Sequence, residues 1–176
     1  MCLIKAKKTP IENGGRKAYK FLVRYPKDPV GVYHSPYYET RWVIGKTYTE
    51  GGSLENGTYS DIRRNLRIYP YQGIINGCAY HSYKELDYAR YTGADFYVFS
   101  ANKPSGKHKF AVVIAECTIP DDSEYMFEGF TQSGIPAYAS EKLRVDKILE
   151  TINALNIDEY VEKSFIWKHP QSLKQK

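Results

Sequence analysis

Hydrophobic and polar positions divide the chain into short extended runs separated by turn-rich stretches, with helical spacing at two places only. RKAYKFLVRY (Arg16 to Tyr25) mixes β-branched and aromatic residues and is closed by Pro26, which predicts a strand. YPKDPVGVYHSPYY is rich in Pro and Gly, so His34 falls on a loop or a strand end. TRWVIGKTY (Thr40 to Tyr48) reads as a short strand interrupted at Gly45, and Glu50 to Asp61 as a loop turning at Asn56-Gly57. IRRNLRIYPY fits a helix or a strand equally. Further on, FAVVIAEC is almost continuously apolar, the mark of a central strand covered on both faces. DFYVFS and this run pair as two strands around the turn Asn102 to Lys107. Asp121-Asp122 turns the chain into another short strand, and a further strand follows Ser140.

The helical spacing occurs first after YHSYKELDYAR. Ser82 and Glu85 have the separation of a capping box, in which each side chain bonds the other residue's backbone N–H. Leu86 and Ala89 then form the buried stripe of a helix from about Tyr83 to Tyr91. The second place is NIDEYVEKSFIW, where Ile157, Val161 and Phe165 predict a C-terminal helix packed on the sheet. The fold expected is a single α+β domain over residues 1–176. It has a mixed, mostly antiparallel sheet and two or three short helices, with residues 1–15 and 168–176 as peripheral tails.

Composition changes this picture in one respect. Of 176 residues 17 are Tyr, a side chain that buries a ring and keeps a polar tip, suited to cores and ligand pockets alike. A net charge of +5 with acidic residues interspersed is too mild for sequence-specific nucleic-acid binding but compatible with a small anionic ligand. Three cysteines without C-x-x-C spacing indicate neither a disulfide framework nor a zinc site, and four scattered histidines indicate no metal centre. Residues 1–16 lack the apolar core of a signal peptide and no run reaches membrane-spanning length, so a reduced, cytoplasmic setting without membrane contact is expected.

The sequence carries no G-x-S-x-G, H-E-x-x-H, Walker or Rossmann glycine motif. Candidate chemistry therefore rests on scattered residues. His81 sits beside the expected helix start, where it either contacts a ligand or ties down a backbone carbonyl. Together with Tyr80, His34 and Tyr37 it is expected to line a pocket. Arg63, Arg64 and Arg67 suit a phosphate clamp or an ordinary solvated helix face. Glu116, alone among apolar neighbours, either points outwards or occupies a pocket with a raised pKa. No cofactor is implied, and the partners expected are a nucleotide-like anion or a host protein, or a second copy of the chain.

Several short motifs occur in a recognisable order: Met1-Cys2-Leu3, Tyr19-Lys20, Ser35-Pro36-Tyr37, Gly45-Lys46-Thr47-Tyr48, Tyr80-His81-Ser82-Tyr83 with Ala89, Cys117-Thr118-Ile119-Pro120, and Tyr138-Ala139-Ser140 with Leu143 and Val145. Over nearly the whole chain this resembles a family of small proteins from Bacteroides-type gut bacteria and their phages. Ala79-Tyr80 stands where that family has Gly-Phe. The resemblance implies a setting, that of a phage or mobile-element accessory protein, more than an activity. In that setting the expected role is binding a nucleotide signal or a host protein in anti-phage defence. Two alternatives stand beside it. One is an ADP-ribosyltransferase-like enzyme using NAD, with His34 positioning the ribose, Tyr80 stacking and Glu141 stabilising an oxocarbenium-like transition state. The other is a structural or virion-associated protein.

Overall fold

In the computed structural model, residues 2–36, 40–49, 75–76, 79–101, 110–131 and 133–168 are described. They form β1 (Cys2–Lys8), β2 (Arg16–Arg24), β3 (Val32–His34), β4 (Arg41–Val43), β5 (Thr47–Thr49), β6 (Ile75–Asn76) and β7 (Tyr80–Tyr83). There follow α1 (Leu86–Ala101), β8 (Ala111–Ile119), β9 (Met126–Thr131), β10 (Pro136–Ser140), β11 (Lys142–Ile152) and α2 (Ile157–Lys168). All eleven strands join one sheet, whose main path runs β5-β11-β8-β2-β7-β10-β9-β1-β6. Every described pairing is antiparallel, so the sheet is not mixed as expected.

The central strand is the one its apolar run predicts. β8 lies between β2 and β11, and its alternate residues serve two cores. Val112 and Ile114 face the helices with Phe21, whereas Val113, Ala115 and Cys117 face the other way with Ala18 and Leu22. Burial holds the Cys117 thiol up at about 12, which leaves it a small apolar filler.

β2 has two neighbours on its outer flank. Tyr19 pairs with Tyr83 of β7, while four residues on Val23 pairs with His34 of β3. β3 carries β4, and a turn through Gly45, at φ 79°, leads into β5, which pairs with β11. The amide of Gly45 also donates to the Val145 carbonyl at 2.8 Å. Strands β3 to β5 thus strap the face opposite the helices, from β2 across to β11. Trp42, fully buried, fills the space beneath.

α1 is longer than its spacing implied. DFYVFS, expected as a strand from its aromatic and β-branched content, is the last part of the helix, because burial of Ala89, Gly93 and Ala94 on the sheet outweighs local propensity. Gly93 sets the approach distance. A Cβ built there would stand 3.0 Å from Val112 Cγ1 and 3.1 Å from both Ile114 Cδ1 and Phe21 Cβ. The two methyl ends can move, but Phe21 Cβ is fixed to its backbone. Gly93→Val should therefore cost about 2–3 kcal/mol by overpacking. Gly93→Ala should stay within about 1 kcal/mol of the parent, since its helix propensity gain works against the crowding. Urea unfolding of the pair checks this, and equal midpoints for Val and the parent would refute it.

α2 packs mainly against α1 rather than directly on the sheet. Ile157 and Tyr160 reach the helix-side core, but Val161, expected on the buried stripe, is exposed. One carboxylate ties three elements together. Glu150 of β11 accepts from Arg90 Nε at 2.8 and 3.0 Å and from Tyr160 Oη at 3.0 Å, and a further Arg90 nitrogen also contacts it. Burial and this hydrogen bond push the Tyr160 phenol up to about 12.

The chain start corrects the expectation of a peripheral tail over residues 1–15. β1 pairs with β9 and β6, and Leu3 is fully buried.

Candidate anion-binding site

On a strand, neighbouring side chains point to opposite faces and cross-strand partners share one. This separates the residues expected to line a common pocket. His81 is in register with Ala139 and so faces the helices; Tyr80 is in register with Ser140 and faces the strap. There its ring meets Trp42 edge-on, with centroids 5.1 Å apart. His34 ends β3, with Nε2 3.0 Å from Asp28 Oδ1 and its ring 5.5 Å from that of Tyr25. Glu141 lies between β10 and β11, where its carboxylate accepts from the Glu124 amide at 2.6 Å. Each of these residues has its own local partners, and no described contact joins His34, His81 and Glu141. Tyr37, Arg63, Arg64 and Arg67 lie outside the described residues.

Two further expectations change. Ser82 is not a helix cap: it lies inside β7, paired with Tyr138, and α1 begins four residues later. Glu116 is half-buried between Lys17 at 3.2 Å and Lys147 at 3.3 Å. Desolvation acts to raise its pKa, but the two ammonium groups win and hold it below the usual carboxylate value. It is a structural ion pair, not a proton carrier.

The polar groups that do gather stand on the face opposite the helices. β2 presents Arg16, Ala18, Lys20 and Leu22 to that side, and the register Tyr19 to Tyr83 sets Lys20 beside Ser82. Ser82 is in register with Tyr138, and Tyr138 with Glu128 of β9. Lys84 follows β7 and holds its ammonium 5.7 Å from the Tyr138 ring centroid while donating to Glu128 Oε1. That bond raises the Lys84 pKa. Burial raises the Tyr138 phenol, against the opposing influence of Lys84 and Arg16. Lys20 donates to the His81 carbonyl at 2.6 Å and lies 5.6 Å from the Trp42 ring centroid. Arg16 Nη2 bonds Glu12 Oε1 at 2.7 Å.

Three cations therefore face two carboxylates around one half-covered surface, with rings at both ends. Two buried polar atoms in this group have no described partner: Arg16 Nε and Ser82 Oγ. Ser82 is fully buried, so its hydroxyl bears the whole desolvation penalty. Such groups are uncommon in folded chains, and an ordered water or ion is one way they are satisfied. One cleft among the described residues, about 140 Å³ between Lys8–Ile11 and Asp121–Met126, has Asp121 and Glu124 against Lys8, the wrong sign for an anion. Among the described residues no three of His, Cys, Asp and Glu gather closely enough to hold a metal ion.

Pattern reading passed over Arg16, Lys20, Lys84, Glu128 and Tyr138. The available signal was that Lys20 falls midway between Ala18 and Leu22, at strand spacing, and so must share their inward face. No protein-family model, curated protein or solved structure matches this chain. No described helix is long and apolar enough to cross a membrane.

Proposed function

We propose that the protein acts by binding a small anionic ligand, of the nucleotide class, on the surface formed by Arg16, Lys20, Lys84 and Tyr138. The observation that carries this reading is the gathering of Arg16, Lys20 and Lys84 on one face of the sheet, with the Lys84 ammonium 5.7 Å from the Tyr138 ring centroid. A phosphate would draw charge-assisted bonds from the two ammonium groups and the Arg16 guanidinium. Tyr80, half-buried at the strap side of the same face, offers a ring for a base to stack on. The sequence resemblance supplies a setting for this role, an accessory protein that sequesters a nucleotide signal of anti-phage immunity. The NAD-using alternative gains no support, because its three residues are held in separate neighbourhoods by Asp28, Trp42 and the Glu124 amide.

Lys84→Met tests the reading, with Ser82→Ala as a control on the fold. Removing the unpaired buried hydroxyl of Ser82 should stabilise the unliganded chain by about 1 kcal/mol and leave binding unchanged. Lys84→Met should weaken nucleotide binding roughly tenfold, the loss of one charge-assisted bond. Calorimetric titration against inorganic phosphate, mononucleotides and cyclic oligonucleotides, with thermal melting of both forms, reads both effects. Absence of heat across the panel would remove the proposal. So would a Lys84→Met chain that binds as tightly as the parent.

A further inference from the structure

We infer that the protein associates head to tail with a second copy of itself, an apolar and basic corner of one molecule meeting the acidic cleft of the next. The two surfaces lie at opposite ends of the β2–β8 ladder, whose register runs from Arg16 beside Ile119 to Arg24 beside Ala111. β2 is nine residues long, which puts roughly 30 Å between them. A molecule therefore does not fill its own cleft and can engage a neighbour at each end.

The corner is built from two turns, residues 25–31 before β3 and 44–46 after β4. Pairing of Val32 with Val43, and the Ile44 amide donating to the Gly31 carbonyl at 3.4 Å, hold them side by side. Tyr25, Val30, Val43 and Ile44 are four of the eight exposed large apolar side chains among the described residues, and Val30 is 93% exposed. Apolar groups gathered in this way mark an interaction surface. Arg24, Lys27, Arg41 and Lys46 are exposed around them. None of the four makes an ion pair among the described residues, whereas Lys17, Arg90, Lys142, Arg144 and Lys147 each hold a carboxylate. The Asp28 carboxylate is already engaged, accepting from the Tyr25 amide at 2.7 Å and bonded to His34 Nε2 at 3.0 Å.

The cleft supplies the complement. Its volume of about 140 Å³ has room for one benzene-sized or branched aliphatic group. Ile11, Tyr125 and Met126 line it with apolar surface, and the exposed Asp121 and Glu124 add two carboxylates against Lys8. Glu141, whose carboxylate accepts from the Glu124 amide, brings a third acid beside them. Val30 of one copy fills this space while Lys27 and Lys46 meet the acids. The contact is small, so assembly is weak and falls with salt. Each copy keeps one surface unused, so assembly continues past the dimer.

Sedimentation velocity of the full chain over a range of concentrations, at low and high salt, tests this. Val30→Asp spoils the corner and Glu124→Lys the cleft. Each alone should weaken self-association at least about tenfold. Mixed in equal amounts they should form a dimer and stop there, because each supplies the surface the other lacks. Lys27→Glu gives a second corner variant with the same expected result. A parent that stays monomeric throughout, or self-association untouched by these changes, would overturn the inference. So would a mixture of the two variants that does not associate. A monomeric parent that sediments with phosphatidylglycerol vesicles through Val30 would assign the corner to a lipid surface instead.

Discussion

Trp42→Ala should destabilise the protein by about 3–5 kcal/mol, the range for deleting a fully buried large aromatic side chain. Trp42 is inaccessible to solvent at the centre of β4 and joins the strap to the sheet beneath it. Its indole Nε1 donates to Ser35 Oγ at 2.8 Å, and its ring centroid lies 4.8 Å from that of Tyr48 and 5.1 Å from that of Tyr80. Lys20 stands over the same ring, so the substitution also removes the surface against which that ammonium is held. Trp42→Phe should recover most of the stability, keeping the apolar contact and losing the Ser35 bond. Chemical unfolding of the three chains decides it, and a loss below about 1 kcal/mol for the alanine form would contradict the packing described for the strap.

Acidification should weaken the fold well before its carboxylates titrate, and His81 is the reason. Burial first, and the Lys20 ammonium second, lower its pKa to about 3. Native His81 therefore stays neutral down to about pH 3, whereas in the unfolded chain an imidazole takes its proton near pH 6.5. The native form holds fewer protons than the unfolded one throughout this interval, so stability is complete above about pH 6.5 and declines as the pH falls towards 3. At pH 4.5 the decline should reach about 3 kcal/mol, taking 1.36 kcal/mol per pH unit over the two units below 6.5. Asp28 and Glu116, whose pKa values are held low, add their own losses only below the ordinary carboxylate range. Urea midpoints between pH 7 and 4.5 isolate the histidine contribution. His81→Leu should flatten that slope, and an unchanged slope in the variant would show that another group is responsible.

Where period and burial agreed, the chain was readable. β2, β8, β9 and β11 stand where their apolar runs and bounding turns put them, and His34 sits at a strand end. Misreadings arose where a local pattern competed with a distant partner. Ser82 and Glu85 have ideal cap spacing, but pairing with Tyr138 draws Ser82 into the sheet and delays the helix to Leu86. Asp95 to Ser100 has strand composition, yet the small residues before it lock the helix against β2 and β8. The anion site was hidden for a related reason. Its members come from β2, β7, β9 and β10, and only the register that aligns Lys20, Ser82, Tyr138 and Glu128 brings them together.

The divided flank of β2 gives the molecule a seam. Strands β7 and β3 each hold β2 through a different residue, Tyr19 and Val23, so release of one clasp need not undo the other. The β3–β4 hairpin that carries Trp42 should open as a small cooperative unit while the broad ladders of β8 with β2 and β11 stay shut. Amide protons of Tyr33 and Val43 should then exchange with deuterium sooner than those of Ile114 and Ala115, and a ligand resting against Tyr80 should slow the hairpin alone.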